Sequence, residues 1–263
     1  MLSRHDLTRV AAEYGAAENQ IRRDHLISHV LRALAELDVP IVFFGGTALA
    51  RTHLTTAEAG GCPSEDIDLL TGDRKVVAGI LDNVLPRHLR REFPRSRWEP
   101  AFADVGSVDP AQLVTEDGLR LRIQLIDTGT AHGDWNRWPT EVREIDLRYG
   151  DVPGPVRLRV PTLDAFAGMK IAAYADRRAP RDLYDLAALA RLDKVTDDVP
   201  RLVRDITGIT PGRHHFRTPP VTDWEDQLAH QTGYLPTAQE CMDTVCTAFG
   251  EIFGWPEPYD PFT

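Results

Sequence analysis

Lysine, cysteine and methionine are each present only three times in the 263-residue chain. Cys62, Cys241 and Cys246 are too few and too scattered for a disulfide framework or a zinc knuckle. No apolar run approaches the roughly 20 residues that cross a bilayer, so no membrane partner is expected. The opening Met1-Leu2-Ser3-Arg4-His5-Asp6 lacks the apolar stretch of a secretory signal. These absences lead to the expectation of a cytoplasmic protein. Positive charge is also short, with 30 Lys and Arg against 40 Asp and Glu and a net charge of −10. That deficit argues against a protein that coats DNA through a broadly positive field, but not against an enzyme that meets nucleic acid at one local patch. Nearly every cation is arginine, so the three lysines, Lys75, Lys170 and Lys194, are worth locating. What remains is ordinary for a globular chain, 42% hydrophobic and 27% charged, with enough apolar material for one large domain or two small ones.

Along the chain, residues 5–37 read as helix, with apolar residues at helical spacing from Leu26 onward and a stop at Pro40. Ile41-Val42-Phe43-Phe44 reads as a buried strand that runs into a tight turn at Gly45-Gly46-Thr47. Residues 57–63 are expected to form a flexible loop, and Ser64 to Leu70 a strand alternating with period two. Lys75 to Leu89 is a helix candidate. Leu119 to Asp127 reads as another alternating strand, and Arg143 to Tyr149 with Val156 to Val160 as a pair of strands. Helix resumes from Thr162 to about Leu192, with short helices expected around 223–231 and 237–253. A strand-bearing first half before a helical second half suggests an α/β unit followed by an α unit, divided at 1–160 and 161–263.

Three segments carry chemistry. Asp66-Ile67-Asp68 lies on the second strand, where period-two geometry turns both carboxylates to one face and Ile67 to the core. Two such carboxylates repel unless a cation sits between them or one takes a proton. Hard oxygen ligands on one face suit Mg²⁺, which commonly uses one or two carboxylates together with substrate phosphates. The turn at Gly45-Gly46-Thr47 ends a strand and opens a helix, so its backbone N–H groups can cradle a phosphate. Together the two segments describe a site for a nucleoside triphosphate with Mg²⁺. The third segment runs from Lys170 to Asp185. One unbroken helix would hold these two ends roughly 22 Å apart, but Pro180 breaks it and starts another. Arg181, Asp182 and Asp185 can then fold back toward Lys170.

Phe44-Gly45-Gly46-Thr47-Ala48-Leu49, Ser64-Glu65-Asp66-Ile67-Asp68-Leu69, and Lys170 with Arg177 and Arg181-Asp182-Leu183-Tyr184-Asp185 resemble, in that order, the AbiEii nucleotidyltransferases. These are toxins of type IV-like toxin–antitoxin systems and include the MenT-type mycobacterial toxins. The resemblance runs from about residue 20 to 192. It implies a DNA polymerase beta-like nucleotidyltransferase fold, a short mixed sheet with helices, followed by a helical C-terminal domain. It also implies transfer of a nucleotide from an NTP to an acceptor, for MenT-type toxins the 3′ end of tRNA, with an antitoxin protein as partner. On the matching positions, Asp66 and Asp68 would bind Mg²⁺ or Mn²⁺, and Gly45, Gly46 and Thr47 would hold the triphosphate. Lys170 would neutralise its charge, and Asp185 would either activate the acceptor hydroxyl or orient Arg181. Ser64 and Arg181 fall among the nucleotide-binding positions. The chain departs from the family in two places. Cys62-Pro63 stands where many relatives carry an Arg-Phe pair, and Gln124 stands where a third carboxylate is common.

An RNA acceptor needs cations. Arg87, His88, Arg90, Arg91, Arg95 and Arg97 cluster together, with Phe93 and Trp98 among them as candidates to stack on a base. Two alternatives stand beside the RNA reading. One is nucleotidylation of a small molecule or a protein; the other is a catalytically silent NTP-binding module, motivated by Gln124.

Overall fold

The computed structural model describes residues 2–129, 135–229 and 235–255. The chain begins with two helices, α1 (Arg4–Tyr14) and α2 (Glu18–Leu37), where the pattern predicts one. Gly15 makes the difference. It caps α1 in the left-handed conformation at φ 67°, its N–H donating to the carbonyl of Ala11, and the chain turns before Glu18. Strand β1 (Val42–Phe44) then leads directly into α3 (Gly45–Ala50), and β2 (Asp66–Thr71) into α4 (Arg74–His88). The two-residue strand β3 (Arg97–Trp98) and β4 (Ala111–Val114), neither foreseen from the sequence, precede β5 (Arg120–Asp127).

These five strands form one sheet in the order β1-β2-β5-β4-β3. Only the central pair, β2 and β5, is parallel; the others pair antiparallel. Parallel neighbours need a crossover, and α4 with the β3–β4 segment provides it. The register sets Phe44 opposite Asp68 and Asp68 opposite Gln124. Asp68 thus sits mid-sheet between the glycine turn and the position where a third carboxylate was sought. Ile67, Leu69, Ile123 and Leu125 are fully or almost fully buried, which fixes the register because a one-residue slip would expose all of them.

A separate antiparallel ribbon joins β6 (Thr140–Glu144) to β7 (Arg157–Pro161). The first of these starts and ends earlier than the expected Arg143–Tyr149, although Ile145 still donates its N–H to Val156. The remaining elements are helices α5 (Leu163–Arg177), α6 (Pro180–Arg191), α7 (Val199–Thr207), α8 (Val221–Leu228) and α9 (Ala238–Phe253). Helix α5 packs on α6 and α7, and α6 packs on α8 and α9. The helix expected around 223–231 corresponds to α8, and its residues 230 and 231 lie outside the described residues. No described helix is long and apolar enough to cross a membrane.

The stretch 57–63 is not the flexible loop its glycines suggest. Gly60, Gly61 and Pro63 are buried. A Cβ on Gly61 would lie 2.0 Å from the carbonyl oxygen of Leu54, and one on Gly60 2.6 Å from Cβ of Ala188. Gly60 lets the loop pack closely on α6, and Gly61 lets it fold back on the carbonyls of Leu54 and Thr56.

Candidate active site

A cavity of about 520 Å³ lies between the β1–β2 side of the sheet and helices α5 and α6. Gly45, Gly46, Thr47, Ser64, Asp66, Asp68, Lys170, Arg181 and Asp185, all singled out from the sequence, line it. Glu65, Arg177, Asp182 and Gln124 join them.

On the sheet wall, Asp66 and Asp68 share a face of β2 while Ile67 is fully buried between them. Burial together with the neighbouring Asp66 charge raises the carboxyl of Asp68 to about 7, against the opposing pull of Lys170. Asp66 has Arg122 of β5 beside it at 3.4 Å, on the outer side of the pair. The glycine turn closes directly over Asp68. Gly45 has φ +81°, and a Cβ there would lie 2.2 Å from Oδ2 of Asp68. Only glycine tolerates both the dihedral and the contact. A Cβ on Gly46 would point across the cavity, 3.7 Å from Oδ2 of Asp185 and 4.0 Å from Nζ of Lys170. The turn therefore stands between the two walls. Helix α3 is six residues long and no side chain caps its start, so what it offers is its first backbone N–H groups more than a macrodipole.

On the helical wall, Arg178 ends α5 in the left-handed conformation and Pro180 opens α6 at its first turn. The fold-back predicted from Pro180 is the one observed. Nζ of Lys170 donates to Oδ1 of Asp182 at 2.9 Å and approaches Oδ2 of Asp185 at 2.6 Å. Nε of Arg177 donates to Oδ2 of Asp182 at 2.7 Å, and its terminal nitrogen to Oδ1 at 3.0 Å. Asp182 is 1% exposed and joins both cations. Burial would raise its carboxyl, but Lys170 and Arg177 overcome that and hold it below the usual carboxylate value. Burial likewise pulls Lys170 down, and Asp185 with Asp182 more than offsets it, so the ammonium stays charged. Asp185 remains raised, because burial outweighs Lys170. Arg181 pairs with Glu65 at 2.5 Å. Glu65 therefore orients Arg181, and the ion pair of Asp185 is to Lys170.

Two expected residues have further partners. The hydroxyl of Ser64 accepts from Nε of Arg51 at 3.2 Å, and its N–H donates to Oδ1 of Asp24 at 2.6 Å. It belongs to a buried network in which Asp24, fully enclosed, faces Arg51 at 2.9 Å and Arg148 at 3.4 Å and accepts from Tyr149 at 2.7 Å. That network ties α2, the end of α3, the entry to β2 and the segment after β6 together, and so fixes the strand carrying both aspartates. Gln124, opposite Asp68, donates its Nε2 to the carbonyl of Val108 at 2.6 Å. Glu65, Asp182 and the Asp24 network were not among the residues picked from the sequence as site residues. For Asp182, the Arg181-Asp182-Leu183-Tyr184-Asp185 spacing after Pro180 carried the signal.

The basic run 87–98 contributes no lining residue. Its aromatic side chains are already packed. Trp98 stacks edge-on to Phe102 at 4.8 Å and donates its indole N–H to Leu81, and Phe93 packs against His25 and His29. Arg95 pairs with Glu116 and Arg97 with Glu99. The stacking role expected of Phe93 and Trp98 does not fit this packing.

The sequence that builds this cleft of paired strand carboxylates, glycine turn and helical-wall lysine matches a known family. The model of the nucleotidyl transferase AbiEii toxin family, type IV toxin–antitoxin system, matches residues 29–249. The chain belongs to the AbiEii nucleotidyltransferase toxin family. Among solved structures, this AbiEii chain is similar to MenT4, a nucleotidyltransferase toxin of Mycobacterium tuberculosis H37Rv. The TM-score is 0.74 at 19% identity, covering 98% of this chain and 91% of that one. That likeness establishes a shared fold, here a five-stranded mixed sheet followed by helices. Weaker likenesses are to an antigenic nucleotidyltransferase-like protein of Paracoccidioides brasiliensis and to terminal uridylyl transferase 4 of Trypanosoma brucei with bound CTP. The first has a TM-score of 0.41 at 18% identity, covering 65% of this chain and 77% of that one. The second has a TM-score of 0.28 at 13% identity, covering 93% and 70%. Comparison with curated protein sequences gives no significant match.

Proposed function

We propose that this AbiEii nucleotidyltransferase moves a nucleoside monophosphate from an NTP to an acceptor hydroxyl at the 3′ end of tRNA, with Mg²⁺ or Mn²⁺ at Asp66 and Asp68. The observation that carries the reading is the closure of the Gly45 backbone over the Asp68 carboxylate, with Lys170 and Asp185 facing it across one cavity. The donor set fits a divalent cation. Two carboxylates of one strand face share a half-enclosed site, and the burial and like-charge repulsion that together raise Asp68 are what a bound cation would offset. Asp66 and Asp68 would hold the ion, which supplies charge stabilisation at the reacting phosphate.

The chain's own groups have distinct tasks. Backbone N–H groups of Gly45, Gly46 and Thr47 hold the triphosphate, and Lys170 presents its remaining N–H to the same oxygens. Arg181, oriented by Glu65, holds the nucleotide from the other wall, and Ser64 positions the strand entry. Asp185, raised by burial, takes the proton of the acceptor hydroxyl. The hydroxyl oxygen bonds to the α-phosphorus as the bond to the pyrophosphate oxygen breaks, in line. In this reading residues 1–160 form the nucleotidyltransferase unit and 161–263 the helical unit, the cleft lies between them, and a cognate antitoxin protein is the partner in the cell.

The test is incubation of the purified chain with each α-³²P-labelled NTP, Mg²⁺ and total RNA, with products resolved by size. Label is expected in the tRNA band, and Asp68→Ala is expected to abolish it while the circular dichroism spectrum stays unchanged. Label confined to protein or small molecules would replace the RNA acceptor, and transfer retained by a folded Asp68→Ala protein would remove the assigned chemistry.

A further inference from the structure

Away from the cleft, His25 and His29 lie one turn apart on a single face of α2, both nearly buried, and Asp151 reaches them from the segment between β6 and β7. Their ligand atoms form a tight triangle. The two Nε2 atoms are 3.2 Å apart, Nε2 of His25 is 3.0 Å from Oδ2 of Asp151, and Nε2 of His29 is 3.7 Å from the same oxygen. We propose that this triad binds one Zn²⁺ ion, distinct from the divalent cation of the nucleotide site.

The argument is geometric and chemical. Four-coordinate zinc with bonds of about 2.0–2.1 Å has ligand atoms about 3.3 Å apart, within the range of these three edges. Two imidazole nitrogens aimed at each other can share at most one proton, and a cation between them satisfies both lone pairs. Two nitrogens and one carboxylate oxygen form a borderline set that suits Zn²⁺ and disfavours Mg²⁺, which prefers oxygen alone. The donors are also held in place. The rings of Phe93 and Tyr149 pack against His25 at 5.8 and 4.9 Å, and the Tyr149 hydroxyl is anchored on Asp24, two residues before the loop delivers Asp151. A fourth position is accessible, because His29 and Asp151 border a cavity of about 350 Å³ that can admit a water. The ion would fasten the 145–151 segment to α2. That segment carries Arg148, part of the buried network behind Ser64 and the start of β2, so the ion would act as a staple for the scaffold of the cleft.

The purified chain is stripped with a chelator and titrated with Zn²⁺ alone, by calorimetry and by metal analysis after desalting. One Zn²⁺ per chain is expected, with a rise in melting temperature. His29→Gln and, separately, Asp151→Asn should each weaken binding at least tenfold, whereas Asp68→Ala should leave it unchanged. Co²⁺ in the unaltered protein should give the intense visible bands of tetrahedral coordination, a readout that stands even if His29→Gln does not fold. Zn²⁺ binding that is lost in Asp68→Ala but kept in Asp151→Asn would overturn the proposal, because the ion would then occupy the nucleotide site. Sub-stoichiometric binding, or Co²⁺ bands of octahedral type only, would overturn it equally.

Discussion

At Gly45 two constraints fall on one residue. Its φ of +81° disfavours any side chain, and the Asp68 carboxylate fills the space a Cβ would need. Gly45→Ala therefore costs roughly 1–2 kcal/mol in backbone strain and must also move Asp68. We expect a fall of at least tenfold in nucleotide transfer beyond what the stability loss explains, measured as label incorporation at a temperature where the variant stays folded. Lys170 acts at the same scale. Lys170→Ala removes a cation from the helical wall and leaves Asp182 and Asp185 without it, so kcat/KM for NTP should drop well over tenfold. An unchanged value would take Lys170 out of the nucleotide site. These residues were legible because each announces itself locally: two adjacent glycines after an apolar strand, two acids two apart, and one of only three lysines. Glu65 does not announce itself, because its partner Arg181 is 116 residues away.

Among the elements, the bend between α5 and α6 decides whether the second wall exists. Pro180 exposed it in the sequence, since proline cannot continue a helix but suits the first turn of a new one. The fold-back brings Asp182 against both Lys170 and Arg177, and this is where the wall is held. Asp182→Asn keeps the shape but leaves two cations around a neutral amide. Breaking a buried ion pair in this way costs about 3–5 kcal/mol, discounted here because Arg177 is 62% exposed. We expect about 2–3 kcal/mol by denaturant unfolding, together with a raised KM for NTP. Other elements were hidden for physical reasons. The break between α1 and α2 rests on a single left-handed glycine within a helical pattern. Strand β3 is two residues long and β4 four, too short for periodicity to register.

For the whole molecule, stability against acid follows from groups that fold into fixed charge states. Burial would raise Asp24, but Arg51 and Arg148 hold it below the ordinary carboxylate value of 3.8. Its contribution is therefore present above pH 3.8 and is lost as pH falls through the lower folded value. His53 acts higher. Burial, with the nearby Arg143 charge and despite Glu141, lowers it from 6.5 to about 4, so its contribution is complete above pH 6.5 and is lost between 6.5 and 4. The difference in melting temperature between the unaltered protein and His53→Gln should change across that upper window and stay constant below it, because His29, also lowered to about 4, and Asp68, raised to about 7, act equally in both proteins. Asp24→Asn should cost about 3–5 kcal/mol at neutral pH, since it leaves two enclosed guanidinium groups without their counter-charge. None of this was readable from the sequence. Asp24 meets Arg51 across 27 positions and Arg148 across 124, and only the finished fold joins them.

The cleft draws its anionic strand from one side of the β7–α5 junction and its lining cations, Lys170, Arg177 and Arg181, from the other. On the proposed division, a gene split after codon 161 would encode two pieces that each lack one wall of the cleft, and neither alone is expected to transfer a nucleotide. Toxicity regained only on co-expression would make this chain a two-key poison, arming itself when a chosen tether brings the halves together.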